Sequence, residues 1–449
     1  MVNFLRMKSA QMNEAKEKIL KSENPIQEIF DSEGISDKFN EKHKYRKRFY
    51  TPIKTLIAFT KQCFSKEKQS CLQAVADIVA EEASSGNTLS SATGAYSNAR
   101  ERLSNDAMKS VMSQIDNIAN EIPEIPYMWH DMHVKLLDGT TVQMTDTKSN
   151  QLSFPQHGNQ KEGSGFPIAR IVVLMSLSTG TVIDYSIAPY KGKLTGEHAL
   201  FREIHHHICD KTLLLGDSYY PSYFLMAELV GRSANGIFKA LAARDNEKYI
   251  IENIGSNDNL VCWERPKRKP DWMTLDEYNL FPTSIKLRLI KVDGNLYITT
   301  LISKKYHKKE IAKLYKERWN VEVNLRSIKT FMGMEELHCK SPDMVKKEIT
   351  SHFIAYNIIR LIMVKSAILN GCKPNELSFM NAMNQIESFW VFIMLGDKPF
   401  ILWLAMLNAI SSIKIGKRPN RFEPRVVKRR SKSFPKMSGK RSDYPRKIA

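Results

Sequence analysis

Four residues of the stretch IAKLYKERWNVEVNLRSIKTF (311–331), Tyr315, Arg318, Glu322 and Lys329, stand at offsets 0, 3, 7 and 14. If the stretch is one helix, about 100° per residue places them within roughly a 60° arc, along about 21 Å of one face. Trp319 and Arg326 fall near the same stripe, while Leu314, Val321, Leu325 and Ile328 form a neighbouring apolar face that can pack on a sheet. A row of phenol, guanidinium, indole and ammonium groups suits a phosphodiester chain. Arg grips two phosphate oxygens, Lys adds a point charge, and an aromatic ring stacks on a base. The lone carboxylate, Glu322, would be repelled by such a ligand unless a divalent cation stood between them. Taken alone, the row also describes a solvated helix face with Glu322 paired to Arg318 and Arg326.

A magnesium site needs further hard oxygen ligands. Asp138 follows the strand-like run VKLL (134–137) and precedes Gly139; Asp217 follows TLLL (212–215) and Gly216. Strand ends of an α/β sheet face the crevice where ligands bind, so both acids are candidates to join Glu322. Each could equally cap a turn or helix. Asp146 competes with Asp138 for the first position; Asp138 is favoured because it sits directly against the strand.

The elements that must carry these residues change character along the chain. Residues 1–126 read as helices: apolar residues recur at helical spacing in 52–64 and 70–82, Gly86-Asn87 breaks the run, and another helix covers 91–103. Arg100 and Arg102 on that last helix make a DNA-reading helix–turn–helix one possibility and a plain helical bundle the other. Pro123 and Pro126 mark a linker. Strands then follow at 134–137, 171–177 and 181–187, with a tight turn at Ser178-Thr179-Gly180. A helix spans about 197–209, a buried strand covers 212–215, and Pro221 opens a helix to about Gly231. Residues 237–302 are again strand-like (237–241, 259–263, 285–292, 296–302), and helices dominate from Lys308 to a basic tail. The expected class is α/β, its core interrupted by an all-β stretch.

Charge points the same way. The chain carries 67 Lys and Arg against 48 Asp and Glu, a net charge of +19. More than half of that excess lies after Gly416, where thirteen cations from Lys417 to Lys447 face only Glu423 and Asp443. A second cluster, KHKYRKR, occupies 42–48. Such patches bind polyanions by displacing counterions. The six cysteines are scattered singly, which supports neither a disulfide framework nor a structural zinc site. His130-x-x-His133 lacks an evident third ligand, His205-His206-His207 reads as a solvated or capping run, and the glycines at 158, 163 and 165 lack the strand–helix context of a nucleotide cradle. The opening segment holds only a short apolar patch, and the apolar runs 353–363 and 400–410 are too short to cross a bilayer. A cytosolic protein is the expectation.

The pattern Y-x2-R-x3-E-x6-K at Tyr315, Arg318, Glu322 and Lys329 resembles the signature of bacterial insertion-sequence transposases of the IS-four family. Four residue types at fixed spacing would arise by chance in fewer than about one in a hundred chains of this length. Other segments agree over roughly 60–435: DGTTVQMTDT (138–147) and LLGDSYYPSY (214–223) resemble the family's two aspartate segments, and GFPIARIVVLMSLSTG (165–180) its central hairpin. LYITTLI (296–302) with LYKERWNVE (314–322) resembles the approach to its glutamate; TGAYSNAR (93–100) and PRVVKRR (424–430) also match. The resemblance implies an RNase H-like catalytic core of mixed sheet and flanking helices, with a DDE triad on Asp138, Asp217 and Glu322. A β-rich insertion accounts for the 105-position spacing between the second and third acids.

The implied organisation is an N-terminal helical, DNA-end-binding region (1–127), the first part of the core (128–236), the insertion (237–302), the second part of the core with the glutamate helix (303–372), and a helical, basic C-terminal region (373–449). Two Mg²⁺ ions, replaceable by Mn²⁺, would be held by Asp138, Asp217 and Glu322. Tyr315, Arg318, Trp319, Arg326 and Lys329 would touch the transposon end, with Arg100 and Arg102 as further DNA contacts. Ser218 follows the second aspartate where several relatives carry Arg, so that contact is not carried over. The expected activity is Mg²⁺-dependent cleavage at insertion-sequence ends and strand transfer into target DNA, by a dimer on double-stranded DNA in the bacterial cytoplasm, at the nucleoid when bound. The alternatives are a metal-dependent nuclease of the same fold without strand transfer, and a non-catalytic DNA-binding relative.

Overall fold

The computed structural model describes residues 16–17, 19, 49–64, 70–121, 128–240, 249–395 and 399–416. The basic runs at 42–48 and beyond Gly416 lie outside the described residues.

Among the described residues from Phe49 onward, the helices α1 (Pro52–Gln62), α2 (Cys71–Ser84), α3 (Gly94–Arg102) and α4 (Asn105–Glu121) precede the sheet. Local chemistry sets their starts. The Thr51 hydroxyl accepts from the Lys54 amide with Pro52 in the first turn, and the Ser70 hydroxyl accepts from the Gln73 amide. These helices do not stand apart. Leu56 and Phe59 of α1 and Met108 and Val111 of α4 share one core with sheet residues such as Leu136 and Val173. Arg100 is drawn into that junction: it donates to Gln62 Oε1 at 3.1 Å and lies over the Phe59 ring at 4.3 Å. Its half-buried guanidinium therefore takes part in packing between helices, whereas Arg102 is exposed.

The sheet contains β1 (His133–Met144), β2 (Ile168–Ser176), β3 (Val182–Pro189), β4 (Thr212–Gly216), β5 (Asn235–Lys239), β6 (Ile250–Gly255), β7 (Asp258–Glu264), β8 (Ser284–Val292) and β9 (Asn295–Thr299). Their order is β3-β2-β1-β4-β5-β9-β8-β7-β6, and the short β10 (Glu336–Leu337) pairs with the far end of β1. β1, β2 and β3 form an antiparallel meander, β4 and β5 run parallel to β1, and β9 turns antiparallel against β5. The stretch expected to be all-β forms no separate sheet and carries one helix, Leu275–Leu280, started by a capping box of Thr274 and Glu277. β5 belongs beside β4, and the meander β6 to β9 extends the same sheet outward from it. β6 and β10 were not legible from pattern: β6 is largely exposed, and β10 is two residues long.

Helices cover both faces of the sheet around β1 and β2. On one side lie α6 (Glu197–Ile204) and α7 (Tyr223–Gly231), packed on Leu137, Val172 and Leu174. On the other lie α10 (Trp319–Arg326), α4 and the long α11 (Pro342–Leu369), packed on Leu136, Val142 and Val173. Because strand residues alternate faces, Leu136 and Asp138 share the α10 side and Leu137 and Gly139 the α6 side. The remaining helices are α5 (Lys148–Ser153), α8 (Leu275–Leu280), α9 (Lys308–Lys316), α12 (Phe379–Leu395) and α13 (Pro399–Ser412).

α11 shows why the apolar run at 353–363 had no readable boundaries. It is 28 residues long, and by length and composition it could cross a membrane, yet 94% of its most apolar window is buried inside the fold. A helix enclosed on all sides has no polar face to give a period. Three of its polar side chains clamp the β2–β3 turn. Asn357 bonds both the amide and the carbonyl of Val182 at 2.8 Å, Tyr356 donates to Gly180 O at 2.9 Å, and Arg360 Nε donates to Thr179 O at 2.8 Å. Gly180 has φ +74°, and a Cβ there would lie 2.3 Å from the Arg360 guanidinium, so glycine fits the turn on both counts.

The extended meander is tied to the next helical segment by Arg288 of β8, which is 2% exposed. It makes two 2.7 Å bonds to the Asp258 carboxylate and donates to Ser303 O at 2.9 Å and Tyr306 O at 2.8 Å. The loop leading into α9, and so to Glu322, is fixed from the meander.

Candidate active site

Asp138 does not end its strand. β1 continues to Met144, and Asp138 sits in its middle, opposite Val173 of β2. What stops is the neighbour on the other side: the β1–β4 ladder runs from His133–Thr212 to Leu136–Leu215, and β4 ends at Gly216. Asp138 and Asp217 each lie two residues beyond the Leu136–Leu215 pair, so they come level where the parallel ladder opens. That opening is the crevice expected at the carboxyl ends of parallel strands. Asp138 Oδ1 accepts from the Gly139 amide at 2.9 Å, and Asp217 Oδ1 accepts from the Tyr219 amide at 2.8 Å. Asp146, two residues past the end of β1, is instead bonded by Gln151 Nε2 at 2.9 Å.

Glu322 reaches the same place from α10, whose Val321 and Leu325 are buried in the core on the Asp138 side of the sheet. The single helix expected over 311–331 is broken. α9 ends at Lys316, the turn at Glu317–Arg318 closes with tighter bonds (Arg318 N to Tyr315 O, 3.0 Å; Val321 N to Arg318 O, 3.1 Å), and α10 begins at Trp319. Beyond Arg326, residues Ser327–Phe331 form a wider π-helical turn, closed by Met332 N to Ser327 O at 3.2 Å. A stripe drawn at a constant 100° per residue therefore does not survive. The tighter and wider turns re-aim Tyr315 and Lys329 relative to Glu322, and π-turns of this kind recur at functional positions.

The side chains of that segment divide into two groups. Arg318 and Tyr315 point inward. Arg318 Nη2 bonds Glu322 Oε1 at 2.6 Å, and the Tyr315 hydroxyl donates to Gly216 O at 3.2 Å, next to Asp217. Tyr315 thus has a partner within the protein. Burial holds its hydroxyl protonated, pushing the pKa up to about 12. Trp319 (59% exposed) and Arg326 lie on the outside, and Lys329 is half-buried in the π-turn.

Burial pushes the Asp138 carboxyl up to about 6; the Gly139 amide and Arg318 pull it down, and the charges of Asp217 and Glu322 add to the rise. Three acids from β1, the end of β4 and α10 therefore share one electrostatic neighbourhood, with Arg318 as the cation among them. They are not clenched. Among the described residues, the group of three metal-ligating side chains with every ligand atom within 4.8 Å of the others is Asp184, His206 and His207.

A further acid borders the site on the opposite face. Glu197, in the first turn of α6, lies against Gly139, where a Cβ would stand 2.5 Å from the Glu197 carboxyl; glycine leaves room for that approach. The Tyr220 hydroxyl donates to Glu197 Oε2 at 3.0 Å. Burial first, then Glu197, Asp138 and Asp217, raise the Tyr220 pKa well above its usual value, so it remains a donor. Tyr219 beside it is 55% exposed. Neither Glu197 nor Tyr220 stood out in the sequence, since their partnership joins positions 23 residues apart. The only available signal was the glycine following Asp138.

Residues 129–358 match the family of the transposase DDE domain. The chain is also 26% identical over 364 residues to Transposase InsG for insertion sequence element IS4 of Escherichia coli (strain K12), a match covering 78% of this chain and 79% of that protein.

Proposed function

The chain belongs to the DDE transposase family, and from that premise we propose that it cuts DNA at the ends of an insertion sequence and joins them to target DNA, using Asp138, Asp217 and Glu322 as its triad. The observation that carries this reading is the convergence of those three acids around Arg318 where the β1–β4 ladder opens. The strand order β3-β2-β1-β4-β5 with helices on both faces supports an RNase H-like core, extended by the β6–β9 meander. The N-terminal helices and the basic runs outside the described residues would add end binding, and pairing of two ends would call for a dimer on DNA.

The donor set suits magnesium. All three ligands are hard carboxylate oxygens, and Asp138, raised first by burial and further by the charges of Asp217 and Glu322, is an anion that a dication would stabilise. Two Mg²⁺ ions, or Mn²⁺ in their place, would supply a Lewis acid for the scissile phosphate and activation of the attacking hydroxyl. The protein's own part is positioning and charge. Asp138 is fixed by the rigid β1, and Asp217 by its own turn and by the Tyr315 bond to Gly216. Arg318 neutralises Glu322 before DNA arrives and lies beside the path of the phosphates. Trp319, exposed one turn before Glu322, offers a stacking surface; Arg326, Lys329 and Arg102 offer charge to the backbone.

The deciding experiment incubates the full chain with labelled element ends, a plasmid target and Mg²⁺. Joined products are expected. Hydrolysed ends alone would make the protein a nuclease, and binding without Mg²⁺-dependent cleavage a non-catalytic relative.

A further inference from the structure

The histidine run expected to be solvated or capping is carried by the fold against a buried acid. We propose that Asp184, His206 and His207 form a second metal site, for zinc or a similar nitrogen-preferring transition-metal ion, apart from Asp138, Asp217 and Glu322. This inference does not rest on the transposase reading.

Asp184 lies on the edge strand β3 and is 9% exposed. Its two oxygens are used differently. Oδ1 accepts from the Tyr185 amide at 2.7 Å and from Lys109 Nζ at 3.2 Å. Oδ2 faces two imidazole nitrogens, His207 Nε2 at 3.1 Å and His206 Nε2 at 4.0 Å. A tetrahedral zinc with bonds of about 2.0–2.2 Å holds its ligand atoms roughly 3.3–3.5 Å apart. The observed separations straddle that value, so small side-chain rotations complete the cage. His206 is 63% exposed, which leaves the fourth position to solvent.

The surroundings hold these ligands in place, as outer partners do in metal sites. Residues His205–His207 form a single 3₁₀ turn after α6. Arg232 caps it, donating to His205 O at 3.3 Å and Ile208 O at 3.1 Å, and Lys135 Nζ donates to His207 O at 2.5 Å. His205 takes no part in the proposed cage; its Nδ1 lies 2.9 Å from Glu228 Oε1. One carboxylate with two imidazoles suits zinc, nickel or copper and disfavours magnesium, which takes oxygen ligands. Bound metal would clasp β3 to the segment that follows α6.

The test titrates the full chain with Zn²⁺ against a chromophoric chelator in buffer containing millimolar Mg²⁺, and follows Tm. One zinc that Mg²⁺ does not displace is expected, together with a rise in Tm. His206→Ala, at an exposed position, should weaken binding at least about tenfold and abolish the Tm rise. The His206→Ala/His207→Ala double variant should weaken it further. Equal zinc affinity in wild type and His206→Ala would overturn the proposal, as would zinc that Mg²⁺ displaces. Asp184→Asn would also disturb the bond from Lys109, so the test rests on the exposed His206.

Discussion

At neutral pH, Asp138 is held ionised against its surroundings, and replacing it with Asn should make the protein more stable while ending catalysis. Its carboxyl rises from 3.8 to about 6 in the fold. At about 1.4 kcal/mol per pKa unit, that rise is worth at most about 3 kcal/mol, less whatever remaining solvent screens. The sign follows from proton linkage. The folded chain binds this proton more tightly than the unfolded chain, so the associated stability is present below pH 3.8 and is lost as pH rises through 6. Asparagine copies the protonated shape, keeps an oxygen for the Gly139 amide and carries no charge. Asp138→Asn should therefore gain up to about 3 kcal/mol over wild type at pH 7.5, and about half that at pH 5. The assay is urea unfolding of both proteins at the two pH values, without divalent ions. Millimolar Mg²⁺ should then stabilise the wild type and close much of the gap, because an ion that binds only the folded state shifts unfolding. A variant no more stable than wild type at pH 7.5, or a gain indifferent to pH, would refute the burial of an ionised Asp138 beside the other two acids.

Asp217→Asn and Glu322→Gln should each abolish cleavage of labelled ends and leave end binding largely intact in a gel-shift titration; full activity in either would reject its place in the triad. Lys329→Ala should weaken end binding and flatten the plot of log affinity against log salt by about one unit, read from titrations at several salt concentrations. Arg288→Met should destabilise by about 3–5 kcal/mol in urea unfolding, because it leaves Asp258 buried without its cation and frees the loop before α9. Tyr220→Phe, which removes the donor to Glu197, should cost about 1–3 kcal/mol; an unchanged unfolding midpoint would mean that Glu197 finds another partner.

Much of this protein could be read along the chain. Asp138-Gly139, Gly216-Asp217 and the spacing around Glu322 marked the acids, and β-branched runs marked β1 to β4, because a strand's pattern and a glycine's freedom are local properties. The turn at Gly180 was legible for the same reason. Extent was less so. β1 runs seven residues past 137, the helix from Glu197 stops at Ile204, and α11 spans 28 residues where eleven were visible. Pairing with β2, the Arg232 cap and enclosure on all sides set those limits, and each comes from distant chain.

The sequence by itself determined which chemistry was available: carboxylates for a dication, cations and aromatic rings for a phosphate chain, and the strands and helices to carry them. Only the tertiary structure decided who meets whom. It broke the glutamate helix at Arg318, turned Arg100 inward, gave Tyr315 to the Gly216 carbonyl, set Glu197 behind Asp138, and brought a histidine run from beyond α6 to an acid on β3. The reason is physical. Residue types and short-range periodicity fix what a segment can do, whereas burial and partnership depend on surfaces contributed by residues tens to hundreds of positions away.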